Sequence, residues 1–273
     1  LAVEFLDPHA KIFADPLTNA GLEIVLRDTL KFSPYVFDVF EVDNILRRRV
    51  DLPLGEYELV PGREIFSKKA GHLLGALSFL FKEGMITGDM STHSQPTVEG
   101  AQFCSQDVPP EWMPRRILGM DLTHGLGTRT SWDIQMSRLA EQTEKVLARG
   151  GKTIIAAFGF GRGQNIALAL AKRGFTVYID GVIRRVLALY ESMAGVRVDH
   201  DRIRWVEGVD HREQLIETDE PMVMITTAGM ADPGPIIGHL VRSLPEKKDA
   251  VFFTSWVAPD SIAMKIMQRS QRE

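Results

Sequence analysis

Cysteine is almost missing from this chain: Cys104 is the single one among 273 residues. An internal disulfide is thereby excluded, and the composition suits a reducing compartment, so the expected location is cytoplasmic. Long apolar runs are missing too; no segment reads as spanning a bilayer, and no membrane role is expected. A large surplus of either charge is lacking. The formal net charge is −4, which argues against general polyanion binding. Local clusters such as Arg47-Arg48-Arg49, Arg115-Arg116 and Arg184-Arg185 could still meet phosphates, although most such runs are solvated faces. The chain starts at Leu1 without a signal-peptide pattern, and a polar tail closes it at residues 268–273. Both ends read as interruptions of something longer.

What is present is an ordinary globular composition, 44% hydrophobic and 25% charged, long enough for one large domain or two of ordinary size. The most informative stretch covers residues 70–92. Two short apolar segments, 77–81 and 85–87, are joined by a turn at Lys82-Glu83-Gly84. His72 lies in a glycine-rich loop before the first segment, and Asp89 follows Gly88 after the second. If the segments are antiparallel neighbours, His72 and Asp89 arrive at the same end of a sheet. An imidazole and a carboxylate meeting there suit zinc. Taken alone, a packed histidine and a turn-capping aspartate are the commoner outcome.

Elsewhere the first half reads as mixed. Residues 11–15 form a short strand, and Pro16 and Thr18 open an amphipathic helix carrying Leu22, Val25, Leu26 and Leu30. A second helix is predicted over 42–50, with Asp43 near its start and three arginines near its end. A strand pair follows at 57–60 and 64–67 around Pro61-Gly62. Residues 94–112 read as a surface loop that contains Cys104, with nothing nearby to activate its thiol.

After a strand at 117–121 the pattern alternates between helices and short apolar strands. Helices are predicted from Thr130 to the Gly150-Gly151 stop, at 165–172, 182–193 and 236–243, and strands at 153–158, 175–179, 222–226 and 250–254. Such alternation means a parallel sheet with helices on both faces, and the fold class is therefore α/β. Gly159-Phe160-Gly161-Arg162-Gly163 sits between a strand and a helix, where backbone amides can hold a phosphate. With Asp180 ending the next strand, a dinucleotide site is a competing reading. Its third glycine, however, is replaced by Gln164.

Several motifs occur together in order. They are Gly71-His72-x-x-Gly75-Ala76, Thr87-Gly88-Asp89, Asp121-Leu122-Thr123-His124-Gly125, and Gly150-Gly151 running to Ala157-Phe158. Gly161-Arg162-x-Gln164 and Thr226-Thr227-Ala228-Gly229-Met230 follow. The series resembles the β-CASP branch of the metallo-β-lactamase fold, the nucleases that include bacterial ribonuclease J and the endonuclease of the cleavage and polyadenylation complex.

The resemblance implies part of a metallo-β-lactamase αβ domain over residues 1–125, incomplete at its N-terminal side, and an inserted β-CASP domain over 126–273. It implies a zinc-dependent, RNA-processing hydrolase in which two zinc ions share a hydroxide and clamp the phosphodiester. The RNA, single-stranded, would run in the cleft between the two domains; a homodimer is a further option. His72 and Asp89 would be metal ligands, Asp89 bridging both ions and thereby catalytic. Asp121 would be the catalytic acid that positions a histidine. Arg162, Gln164, Thr227 and Gly229 would contact RNA.

The family's upstream His-x-His-x-Asp-His cluster and its two downstream histidines are absent from this chain. The usual tyrosine of the acidic motif is His124, and the usual Gly-Tyr near the end of the insert is Ser255-Trp256. Two ligands cannot hold a zinc pair, so this stretch alone should be inactive. Either the whole protein carries the other ligands, or the chain is a non-catalytic β-CASP scaffold that binds RNA.

Overall fold

The structure is a computed structural model that describes residues 7, 9–31, 37–102, 108–123, 125, 127 and 130–270. Cys104 and His124 lie outside the described residues. The chain divides into two compact units, Leu1–Arg129 and Thr130–Glu273.

The first unit opens with strand β1 (Ile12–Ala14) and helix α1 (Pro16–Thr29). Asp15 caps that helix by accepting the Leu17 amide, and Pro16 stands at its first position, where a missing N–H costs nothing. Helix α2 (Val39–Arg47) begins earlier than its apolar spacing suggests. Asp38 and Glu41 form a reciprocal capping box, so Asp43 is interior rather than near the start. The helix also ends sooner, because Arg49–Asp51 leaves it as β2 and pairs in parallel with β1.

A five-stranded sheet follows in the order β3-β4-β5-β6-β7: Gly55–Val60, Arg63–Lys69, Leu77–Phe81, Gly84–Ile86 and Ile117–Gly119. Its first four strands are antiparallel, and β7 joins β6 in parallel. Strand β3 alternates half-buried and exposed residues, as expected of a strand with one wet face.

The second unit is a five-stranded parallel sheet, order β10-β9-β11-β8-β12. Its chain order is α3 (Trp132–Ala148), β8 (Thr153–Ala156), α4 (Arg162–Lys172), β9 (Val177–Ile179), α5 (Val182–Ala194), β10 (Ile203–Trp205) and α6 (Gly208–Glu217). Then come β11 (Val223–Thr226), α7 (Ile236–Ser243), β12 (Ala250–Phe253) and α8 (Ile262–Ser270).

Alternate strand residues serve two helical layers. Ile155, Val223, Ile225, Val177 and Ile179 pack with α3, α4 and α5. Ile154, Met222 and Met224 pack with Leu215 of α6, while Ala156 packs with α7 and with Ala263 of α8. Strands buried on both faces read as continuous apolar runs, which is why β8 and β11 are legible in the sequence. Strand β10 and helix α6 are not. The strand is a bare Ile-Arg-Trp with Arg204 exposed, and the helix, Gly-Val-Asp-His-Arg-Glu-Gln-Leu-Ile-Glu, buries only Leu215.

Candidate functional site

In the first unit the loop between β4 and β5 carries His72. Its ends are tied by the Ala70 amide donating to the Ala76 carbonyl at 2.9 Å. Gly71 has φ +69°, and a Cβ there would lie 2.2 Å from the Ala101 amide nitrogen and 2.3 Å from the Ser91 carbonyl oxygen. Only glycine permits that approach. It brings Gly71 opposite Met90 in an isolated antiparallel bridge, and the Ser91 amide donates to the Ala70 carbonyl at 3.0 Å. The segment that follows Asp89 is thus fastened to the segment that precedes His72. On the other side of the loop, Thr18 Oγ1 donates to the Gly75 carbonyl at 2.8 Å, and Gln95 Nε2 donates to the His72 carbonyl at 3.2 Å.

His72 and Asp89 consequently line one cavity of about 310 Å³, together with Asp15, Thr18 and Phe79. Asp15 is a carboxylate at this cavity that sequence reasoning missed. Its position before Pro16 marked a helix start and carried no signal of proximity to His72.

Asp121 stands beside the pair. The Met90 amide, one residue beyond Asp89, donates to Asp121 Oδ2 at 3.2 Å, and the Thr123 amide and hydroxyl donate to Oδ1 at 2.9 and 2.5 Å. The Asp121 amide in turn donates to Thr87 Oγ1 at 3.0 Å. The Thr123 bonds, above all the one from its hydroxyl, hold the Asp121 carboxyl below its ordinary range, and the bond from Met90 and the field of His72 add to the effect. Asp121 therefore has two neighbours of interest, the Asp89 turn by hydrogen bond and His72 by electrostatics.

An imidazole and a carboxylate are donors that zinc accepts, but a tightly held ion needs three or four. Among the described residues no group of three His, Cys, Asp or Glu side chains is placed to hold a metal. The donor set at this cavity is compatible with a metal in type and incomplete in number.

The other predicted residues gather at the carboxyl end of the parallel sheet in the second unit. Arg162 is the first residue of α4, and its guanidinium lies 5.7 Å from the centroid of the Trp132 ring. Thr227 and Gly229 follow β11. Thr227 accepts the Ile236 amide through its carbonyl at 2.9 Å, and its side chain fills the space beside Gly159 and Gly181.

Gln164 requires a correction. Its side chain is fully buried, and Nε2 donates to the carbonyls of Gly159 and Ile183, both at 2.9 Å. It braces the loop after β8 against α5 and presents nothing to a ligand. The reason is register: as the third residue of α4, position 164 faces the core.

Asp180 is committed as well. It accepts from Arg212 Nη2 at 2.9 Å and from the Gly181 amide, with its side chain 2% exposed. A carboxylate so engaged cannot reach a ribose, which removes the residue on which the dinucleotide reading depended.

A Beta-Casp domain profile matches residues 164–266. Over 268 residues the chain is 26% identical to the transcription termination factor FttA of Thermococcus kodakarensis, covering 85% of this chain and 39% of that protein. It is 23% identical over 280 residues to RNase aCSPSF2 of Saccharolobus solfataricus, with 95% and 54% covered. It is 25% identical over 285 residues to a ribonuclease of Thermus thermophilus, with 94% and 64% covered. The chain thus spans from 39% to 64% of the length of these three curated relatives. Among the described residues no helix is long and apolar enough to cross a membrane.

Proposed function

From the premise that this chain belongs to the β-CASP branch of the metallo-β-lactamase superfamily, we propose that the whole protein is a zinc-dependent nuclease that processes single-stranded RNA. Relatives named as ribonucleases and as a transcription termination factor support the reading. In it, the first unit is a metallo-β-lactamase-like domain and the second is the β-CASP domain, within which the matched residues 164–266 fall. The family works with metal ions. Zinc, and a pair of them, is the specific proposal here.

The reading assigns the roles as follows. His72 and Asp89 supply two of the metal donors, with Asp89 the bridging one. Asp121 holds the turn after Asp89 through the Met90 amide, and its carboxyl feels the field of His72. Arg162 and the backbone around Thr227 and Gly229 face the RNA.

The single observation that carries the proposal is that His72 and Asp89, 17 positions apart by their numbers, border one cavity. The test is cleavage of a labelled single-stranded RNA by the whole protein, with and without chelator. Chelator-sensitive cleavage that disappears in His72→Ala is the expected result, and a variant cutting at the unmutated rate would sink the assignment.

One observation favours a second reading, a non-catalytic scaffold that binds RNA: no three donors converge among the described residues. A protein of that kind would bind the RNA and leave it intact in both arms of the same assay.

A further inference from the structure

The carboxyl end of the parallel sheet leaves two large rings uncovered. Phe158, two residues past β8, is 41% exposed, and Trp256, three residues past β12, is 72% exposed. Strands β8 and β12 are neighbours in parallel, with Ala156 opposite Phe253. Thr254 extends the pairing past the strand ends, its hydroxyl donating to the Ala156 carbonyl at 2.8 Å. Phe158 and Trp256 therefore leave the same sheet edge from adjacent strands.

The Phe158 ring has a firm backing. A Cβ on Gly229 would lie 3.2 Å from Phe158 Cδ1 and 3.1 Å from the Phe158 amide nitrogen, so the backbone at Gly229 is packed directly against this residue. That packing explains a glycine at position 229 better than any contact a side chain there could make. In the chain the rings are flanked by Ala157 and Gly159 and by Ser255 and Val257, and the next ring, Phe160, packs edge-on against Tyr190 at 5.8 Å. Exposed aromatic rings together with a cation are the arrangement with which proteins hold single strands. Arg162, held over Trp132, supplies a cation at the same edge.

We propose that Phe158 and Trp256 form a stacking platform for unpaired bases of single-stranded RNA, with Arg162 directed at its phosphates. The inference rests on the RNA-processing reading and deepens it. It makes contact with the bases themselves, and not only with the backbone, part of how the second unit holds its substrate. Stacking tolerates every base, because each has a π-face, so the platform selects for single-strandedness and not for sequence.

The test is fluorescence anisotropy with the full chain in EDTA at fixed salt. The two probes are a labelled ten-nucleotide oligoadenylate and an oligomer with the same backbone but abasic sites. Trp256→Ala and Phe158→Ala should each weaken oligoadenylate binding by about tenfold, the size of one lost base stack. Trp256→Phe should restore most of the loss. The abasic oligomer should bind weakly and respond to neither substitution. Alanine variants that bind oligoadenylate as the unmutated chain does would overturn the platform, as would equal binding of the two oligomers, and either leaves the RNA reading standing. A chain that binds neither oligomer overturns both.

Discussion

His239 illustrates how a single residue can tie stability to pH without touching a functional site. It is buried in α7 with Nε2 unpartnered among the described residues, and burial lowers its pKa to about 4 despite the nearby Asp180 carboxylate; Lys152 and Arg212 lower it further. In the unfolded chain the imidazole titrates near its ordinary value of 6.5. Between those values the unfolded state binds the extra proton, so stability is fully present above about pH 6.5 and falls as pH drops toward 4. At pH 5 the loss attributable to this residue is about 2 kcal/mol. Urea unfolding at pH 7.5 and pH 5 should show the unmutated chain losing that much more than His239→Phe; equal losses would remove the effect. The same scale shows why Gln164 misleads as a motif residue: its identity is set by two carbonyls it must satisfy inside the fold, and a sequence does not display which face of a helix is buried by its neighbours.

Among elements, the ones that were legible announce themselves through two signals, period and continuity. Strands β8 and β11 are uninterrupted apolar runs, and α7 has the bounds its spacing predicts. Helix α2 shows the limit. Its start is written in Asp38 and Glu41, upstream of the apolar positions Val42 and Ile45 that suggested a helix, and its last turn is surrendered to a strand because β1 offers a pairing partner. Asp38→Ala should destabilise by about 1 kcal/mol, the usual worth of such a cap, read as a shifted urea midpoint. An unchanged midpoint would show the box to be dispensable. The loop that holds His72 was legible only in part. Its glycines were visible, but the Gly71–Met90 bridge and the approach of Ala101 are tertiary facts. The position of Asp15 at the same cavity depends on where α1 begins, which no local pattern reports.

At the scale of the molecule, two units with separate sheets divide the chemistry: a cavity lined by His72, Asp89 and Asp15 in one, and a sheet edge with an arginine and two uncovered rings in the other. Alternation of helix and strand made the second unit's class readable from the sequence. The first unit's was harder, since its strands are short and one of them, β7, arrives from 30 residues further along the chain. The central claim is that His72 and Asp89 belong to a metal centre, and metal stoichiometry tests it most directly. Elemental mass spectrometry on the whole protein and on Asp89→Ala should find close to two zinc ions per chain in the first and almost none in the second, because the bridging carboxylate serves both. Zinc content unchanged by the substitution, or absent from both proteins, would contradict the account.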